Sequence, residues 1–279
     1  MARGRANPVD LEARRQRVLT RVVECGEVRI DQLAEEFDVS LMTMHRDVDE
    51  LAQRALLRKL RGRVAPMPPV TQEMPTEVRS HAQLKEKEAI AALALDELVP
   101  NTTILMDDST TLFPLARRLS EEGRFTVVTN SLGITQILGP DHNVQVHLLG
   151  GKYNRDFNST TGPEVDRSLR RFHADTALMS ATAVSGGVLY HPIQEYAAVK
   201  EAMLSSAKRR VLLVDHTKFG RRSTFAYGDV STYELVITDC ETPGHEIKAM
   251  RDLGVEVLVV DSSGHNHNHR HGTEPPHPA

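Results

Sequence analysis

The sequence predicts an α/β protein in two parts: a small helical unit closed by a basic hairpin, then a larger unit with a mostly parallel sheet. Three observations carry this. Between residues 14 and 52, apolar side chains recur at three- and four-residue steps, the spacing of a buried helix face. From about Gln83 onward, helical stretches alternate with short apolar runs, the pattern of parallel strands covered on both faces. Between the two lies VAPMPPVTQEMPTEV, residues 64–78, with four prolines. Proline fixes φ and lacks a donor, so this stretch is expected to be a linker.

Residues 1–13 are expected to be a frayed basic start, and Arg14 to Cys25 the first helix. Val18, Leu19, Val22 and Val23 face inward there, and Gly26 ends it. Asp31 is placed to cap a second helix, whose apolar face is Leu33, Ala34 and Phe37. Asp38 and Val39 make a tight turn, and Ser40 caps a third helix with Leu41, Met44, Val48, Leu51 and Ala52 inward. Met42, Thr43, His45, Arg46 and Asp49 fall on or near the opposite face. Leu57 to Leu60 alternates apolar and basic, as a short strand does, and Gly62 permits a turn among Arg58, Lys59, Arg61 and Arg63.

This is the pattern of a winged helix-turn-helix over residues 14–63. Early residues of a recognition helix reach base edges and phosphates. The expected DNA-binding set is therefore Ser40, Met42, Thr43, His45 and Arg46, with Arg58, Arg61 and Arg63 on the wing. The competing reading is an ordinary helical hairpin with a solvated charged face. The short turn, the donor-rich face and the basic hairpin favour double-stranded DNA as a partner.

Composition bounds the rest. A chain of 279 residues, 40% hydrophobic, accommodates a small domain of ~70 residues and a core domain of ~190. The net charge of −4 is unevenly spread: residues 1–70 hold 13 Lys+Arg against 11 Asp+Glu, and the remainder 21 against 27. So modest a basic excess implies weak DNA binding by one module, strengthened in a homo-oligomer, dimer or tetramer, that engages two half-sites. No run approaches the ~18 apolar residues of a membrane helix, and residues 1–20 lack a secretory signal, so no membrane partner and a cytoplasmic location are expected. Cys25 and Cys240 are expected to be buried small hydrophobes.

In the larger unit, residues 79–261, helices are expected at Lys85–Leu98, Leu112–Leu119, Leu132–Leu138, Glu164–Phe172, Glu195–Ala207 and about His245–Leu253. Strands are expected at Thr103–Met106, Phe125–Val128, Val144–Leu149, Thr176–Met179, Val211–Asp215, Leu235–Thr238 and Val255–Val260. Residues 262–279 form a polar tail with five of the thirteen histidines, expected to be disordered; their spacing matches no structural zinc site, and no metal or cofactor is implied.

Ligands of such sheets bind beyond the carboxyl ends of the strands. There the chain places Asp107-Asp108-Ser109-Thr110-Thr111, Thr129-Asn130-Ser131, Gly150-Gly151-Lys152, then Asp215 and Lys218, with Lys200 on a helix five residues after Glu195. Hydroxyls and backbone N–H groups opening helices suit an anion. Singly, each group has a structural explanation as a cap, a turn or a surface lysine. Their joint placement favours a phosphorylated or otherwise anionic small ligand.

The chain resembles the DeoR-type bacterial transcriptional regulators, from Arg15 to about Val260. The resemblance rests on VSLMTMHRDVDELAQRALLRK, MDDSTT, VVTNS, LLGG, EYAAVK and VDHTKFGR, in that order. It implies a C-terminal sugar-phosphate sensor related to ribose-phosphate isomerases and CoA transferases, and a repressor of carbohydrate metabolism genes. It also implies a pocket lined by Asp107, Ser109, Thr110, Thr129, Asn130, Lys200, Asp215 and Lys218. The chain departs from the family pattern at His45-Arg46, at Ser109, at the wing tip Leu60-Arg61-Gly62-Arg63, and at Ser180-Ala181-Thr182. Two other readings stand beside it: an isomerase-like enzyme using Asp107, Asp108 or Glu195 as base, and a DNA-binding protein whose second domain only oligomerises.

Overall fold

The structure is a computed structural model and describes residues 8–53, 57–66 and 71–261. Its first unit has helix α1 (Pro8–Cys25), strand β1 (Val28–Arg29), helices α2 (Ile30–Glu36) and α3 (Leu41–Gln53), and strands β2 (Leu57–Leu60) and β3 (Arg63–Pro66). The strands pair antiparallel in the order β1-β3-β2, with Leu60 opposite Arg63 and Val28 opposite Val64. Gly62 turns the hairpin at φ +67°, a region that favours glycine. Val18, Leu19 and Val22 of α1 meet Leu33 and Ala34 of α2, Met44, Val48 and Leu51 of α3, and Leu57 and Val64 of the wing in one buried core.

Several expectations are corrected here. The first helix begins at Pro8 rather than Arg14, because proline at a helix start gives up an N–H that has no partner there anyway. The side chain of Val23 lies outside the described residues. Asp31 does not cap α2: it sits inside the first turn, accepts from Gln32 N at 2.9 Å and pairs with Arg29. Leu41 is 49% exposed. It opens α3 one turn before the buried face starts at Met44, and Val39 packs on the core instead. Ala52 is half-buried. Asp38, at φ +49°, makes the expected turn between α2 and α3. Both cysteines are exposed and free. Asp47 is buried where the helical spacing left it unremarked; it accepts from Arg14 Nε at 2.7 Å and Arg15 Nε at 3.1 Å, tying α1 to α3.

The second unit begins inside the stretch read as a linker. Residues 63–66 belong to the wing, and helix α4 (Thr76–His81) packs on the sheet domain. Then follow α5 (Leu84–Leu95), β4 (Thr103–Met106), α6 (Phe113–Arg118), β5 (Phe125–Thr129), α7 (Leu132–Leu138), β6 (Val144–Leu148), β7 (Lys152–Asn154), β8 (Ser159–Thr161), α8 (Pro163–Leu169) and β9 (Ala174–Met179). The chain closes with β10 (Ala183–Ser185), β11 (Val188–His191), α9 (Gln194–Leu204), β12 (Ala207–Leu213), β13 (Phe225–Asp229), β14 (Leu235–Asp239), α10 (Gly244–Asp252) and β15 (Glu256–Val260). The seven-stranded sheet is parallel throughout, in the order β15-β14-β12-β9-β4-β5-β6.

Alternate strand residues supply the two faces. Ile104, Met106, Leu178, Val211 and Leu213 pack with α5, α6 and α7. Leu105, Ala177, Met179, Leu212 and Val214 pack with α8, α9 and α10. The ninth helix stops three residues short of the expected Ala207, which starts β12. Ser206 bends the chain there, its hydroxyl donating to Ala202 O at 2.9 Å. The β7–β8 hairpin and the antiparallel sheet β10-β11-β13 are additional to the expected strands. The tail expectation, residues 262–279, lies outside the described residues. Among the described residues, no helix is long and apolar enough to cross a membrane.

Candidate ligand pocket and nucleic-acid interface

Strand order locates the pocket. From β4 the chain builds outward through β5 and β6, then returns to β9 on the other side of β4 and builds away through β12, β14 and β15. The loops after β4 and β9 therefore diverge, and such a switch point is where open α/β sheets bind ligands. Ser109, Thr110 and Thr111 follow β4, Ser180, Ala181 and Thr182 follow β9, and all six line one cavity there.

The floor of that cavity is a buried ion pair. Asp107 accepts from Ser109 N and Ser180 N, each at 3.0 Å, and from the Lys200 ammonium. Lys200, on α9, also donates to Ser180 O at 3.0 Å and lies 3.4 Å from Ser109 Oγ. Only 3% of Lys200 is exposed, and charges this deep persist when paired and fully hydrogen-bonded. Beside it, Asp108 accepts from Ser159 Oγ at 3.0 Å, and that hydroxyl is 3.0 Å from Tyr196 Oη. Burial pushes the Asp108 carboxyl up, Lys200 opposes this, and Asp107 reinforces it.

One wall comes from the segment before the sheet. Thr76 docks twice on the loop before β8: its N–H donates to Asp156 O and its hydroxyl to Phe157 O, both at 2.8 Å. This places Glu73 and Arg79 against the cavity, 3.2 Å apart. The Thr182 hydroxyl donates to the Glu73 carboxylate. His191, 3.7 Å from Glu73, stacks on the Tyr196 ring at 5.2 Å and accepts from Ile193 N at 3.1 Å. Burial, and after it Lys200, lowers the His191 pKa to about 4, so the ring is neutral near pH 7. Lys87, behind the wall, donates to Arg79 O and, at 3.0 Å, to Thr110 Oγ1; burial, then Lys218, lowers its pKa to about 8. The free volume left inside is about 20 Å³, room for roughly one water.

Of the ligand residues expected from sequence, Ser109, Thr110, Thr111, Lys200 and Lys218 line this cavity. Asp107 lies beneath it, engaged by three donors. The remaining six do not line it, and local structure accounts for most of them. Thr129 Oγ1 accepts from Ser131 N at 3.0 Å, and Ser131 Oγ caps α7 through Ile134 N at 3.2 Å. Asn130 Nδ2 donates to Thr160 O at 2.9 Å. A Cβ on Gly151 would stand 2.5 Å from Thr161 O, so that glycine permits close packing of the chain on the β7–β8 hairpin, while Gly150 faces open space. Asp215 caps a short turn through Thr217 N at 3.0 Å. Burial would raise its carboxyl, but Lys218 and the Thr217 hydroxyl outweigh this and hold it below the usual range. Asn130 Oδ1 and Asp215 Oδ2 are buried acceptors without a hydrogen-bond partner among the described residues. Glu73, Arg79, Phe157 and His191 were missed. Only the three-dimensional docking of residues 73–81 and of β11 brings them in.

On the helix-turn-helix, Ser40 caps α3 as expected, accepting from Thr43 N at 3.2 Å, and its hydroxyl is 2.8 Å from Thr43 Oγ1. Met42, 67% exposed, and Arg46 share the outer face, with the Arg46 guanidinium 3.8 Å from Met42 Sδ; Thr43 and His45 are half-buried at its edge. On the wing Arg58 and Arg61 are exposed, Arg63 pairs with Glu27, and Lys59 pairs with Asp49 of α3.

Fold and site together define a helix-turn-helix regulator with an α/β sensor domain. Residues 14–67 match the DeoR-like helix-turn-helix domain, and residues 82–240 the DeoR C-terminal sensor domain. The chain belongs to the DeoR family of transcriptional regulators. It is 31% identical to the uncharacterized HTH-type transcriptional regulator YgbI of Escherichia coli, over 88% of this chain and 97% of that one. It is 26% identical to the Glycerol-3-phosphate regulon repressor of the same organism, over 86% and 95%. Among solved structures it is similar to ribose 5-phosphate isomerase A from Neisseria gonorrhoeae, at 16% identity and TM-score 0.36 over 54% of this chain and 57% of that one.

Proposed function

We propose that the protein is a cytoplasmic repressor of carbohydrate metabolism genes whose operator affinity is set by a phosphorylated sugar bound at the β4–β9 switch point. The observation that carries this is the joint presence there of three cations, Arg79, Lys200 and Lys218, and the hydroxyls of Ser109, Thr110 and Thr111. Phosphate recognition uses such donors. A relative that is a glycerol-3-phosphate regulon repressor supports an organic phosphate as the ligand class. Ser40, Met42, Thr43, His45 and Arg46 would meet the major groove, and Arg58, Arg61 and Arg63 the adjoining backbone. A homo-oligomer formed through the sheet domain would present two such faces to paired half-sites.

The reading is of binding without turnover. Asp107, the first carboxylate available as a base, is fully engaged by Ser109, Ser180 and Lys200. A thermal-shift screen with sugar phosphates, each beside its free sugar, tests this. A rise in melting temperature with a phosphorylated compound, without its conversion, supports the sensor. Conversion would point to the enzyme, and silence across the panel to a domain that only oligomerises.

A further inference from the structure

The pocket already holds an anion, and it belongs to the chain itself. Glu73 lies in the segment that joins the wing to the sheet domain, yet its side chain is only 7% exposed. Its carboxylate receives the Thr182 hydroxyl and stands 3.2 Å from Arg79. The cations around it outnumber what the fixed carboxylates neutralise. Lys200 is taken by Asp107, and Lys218 acts on Asp215. Arg79 stands against Glu73 and acts also on Asp108, and Lys87 is bonded to neutral oxygens.

Two further observations make this an occupied site rather than a wall. With the segment seated, about 20 Å³ is free, whereas small-molecule pockets span roughly 300–1,000 Å³. Residues 71–75 are also lightly held. Thr71, Gln72, Met74 and Pro75 are exposed, so this stretch buries little apolar surface, whereas the helix after it is anchored by two hydrogen bonds from Thr76 and by Lys87 on Arg79 O. Segments with few buried apolar contacts open at low free-energy cost.

We infer that Glu73 is an internal competitor: its carboxylate stands where the anionic group of the effector binds, so the effector enters by expelling residues 71–75, while α4 keeps Arg79 in the site. This rests on the sensor reading above and names how the site is regulated. Expulsion would free the chain leading to the helix-turn-helix, so occupancy of the pocket would reach the DNA-binding unit through its own covalent connection. A competitor present in every molecule scales apparent affinity down to the fraction of time the site is free of it, and its removal lifts that reduction.

The test uses the full-length protein and inorganic phosphate as the probe, with titration calorimetry for affinity. Glu73→Gln keeps the shape and removes the charge. We expect it to bind phosphate roughly fivefold or more tightly than wild type, the effect of losing a seated competitor. Thr182→Val removes the hydroxyl that holds Glu73 and should shift affinity the same way, which guards against a folding defect in the first variant. Equal or weaker phosphate binding by both variants, with wild type still binding, overturns the competitor and leaves the sensor standing. No phosphate binding by any of the three proteins removes both.

Discussion

Lys200 and Asp107 meet across 93 residues of sequence, the ammonium on the carboxylate, both out of water at the floor of the pocket. The pair fixes the ends of β4 and α9 to each other. Removing one partner would leave a buried charge alone, which costs about 3–5 kcal/mol. Lys200→Met should therefore lower stability by that order in urea unfolding, besides any effect on ligand. A stability equal to wild type would mean the pair is not buried as described.

The pH response of His191 has a defined sign. Its folded pKa, about 4, lies below the ordinary imidazole value of 6.5, so between those values the unfolded chain binds the extra proton. Its contribution to stability is complete above pH 6.5 and is lost as pH falls toward 4, by about 3 kcal/mol in total. His191→Asn, whose amide oxygen can still accept from Ile193 N, should flatten this acid limb. Thermal unfolding from pH 4 to 7 in both proteins measures it, and superimposable curves would remove His191 as the source.

Asp47 should matter to folding rather than to DNA contact. It is buried between Arg14 and Arg15. Asp47→Ala should destabilise the helix-turn-helix by about 3 kcal/mol, seen as earlier loss of helical signal on heating. A change within about 0.5 kcal/mol would show that the two arginines find other partners.

Arg46 is exposed on the outer face of α3. Arg46→Ala should weaken specific operator binding tenfold or more, since a base-edge contact is worth ~1–3 kcal/mol, with an unchanged melting temperature. Arg61→Ala, at the wing tip, should instead weaken specific and nonspecific DNA alike and reduce the salt slope by about 1. If Arg46→Ala binds its operator as wild type does, another face of the helix reads the DNA.

Much of the fold was legible because it rests on local periodicity. Thr103–Met106 is an apolar run, Leu132–Leu138 carries a helical spacing of apolar residues, and both form an element of the same extent. Ser40 was legible as a cap because a hydroxyl one residue before an apolar period has few other uses. Asp31 and Leu41 misled for the opposite reason: each lies at a helix start, where one residue of shift moves a side chain from cap to turn or from core to solvent. In the pocket, Ser109 to Thr111 and Lys200 could be placed, since they follow β4 directly or sit on a helix facing it. Glu73, Arg79 and His191 could not. Their approach depends on strand order and on the docking of Thr76 at Phe157, 81 residues away, and no short-range spacing encodes that. Thr129, Asn130 and Ser131 carry the same polar signature, yet they serve a turn, a strand contact and a cap.

The central claim is that a phosphorylated ligand in the sheet domain sets the affinity of the helix-turn-helix for DNA. The most direct measurement is the Kd for an operator duplex, recovered by selection from random DNA, with and without each member of a sugar-phosphate panel and its free sugar. Coupling is reciprocal, and a tenfold change corresponds to about 1.4 kcal/mol. We predict that at least one sugar phosphate weakens operator binding about tenfold while its free sugar does not, and that operator DNA weakens binding of that compound by the same factor. An operator affinity unmoved by every member of the panel would contradict the account.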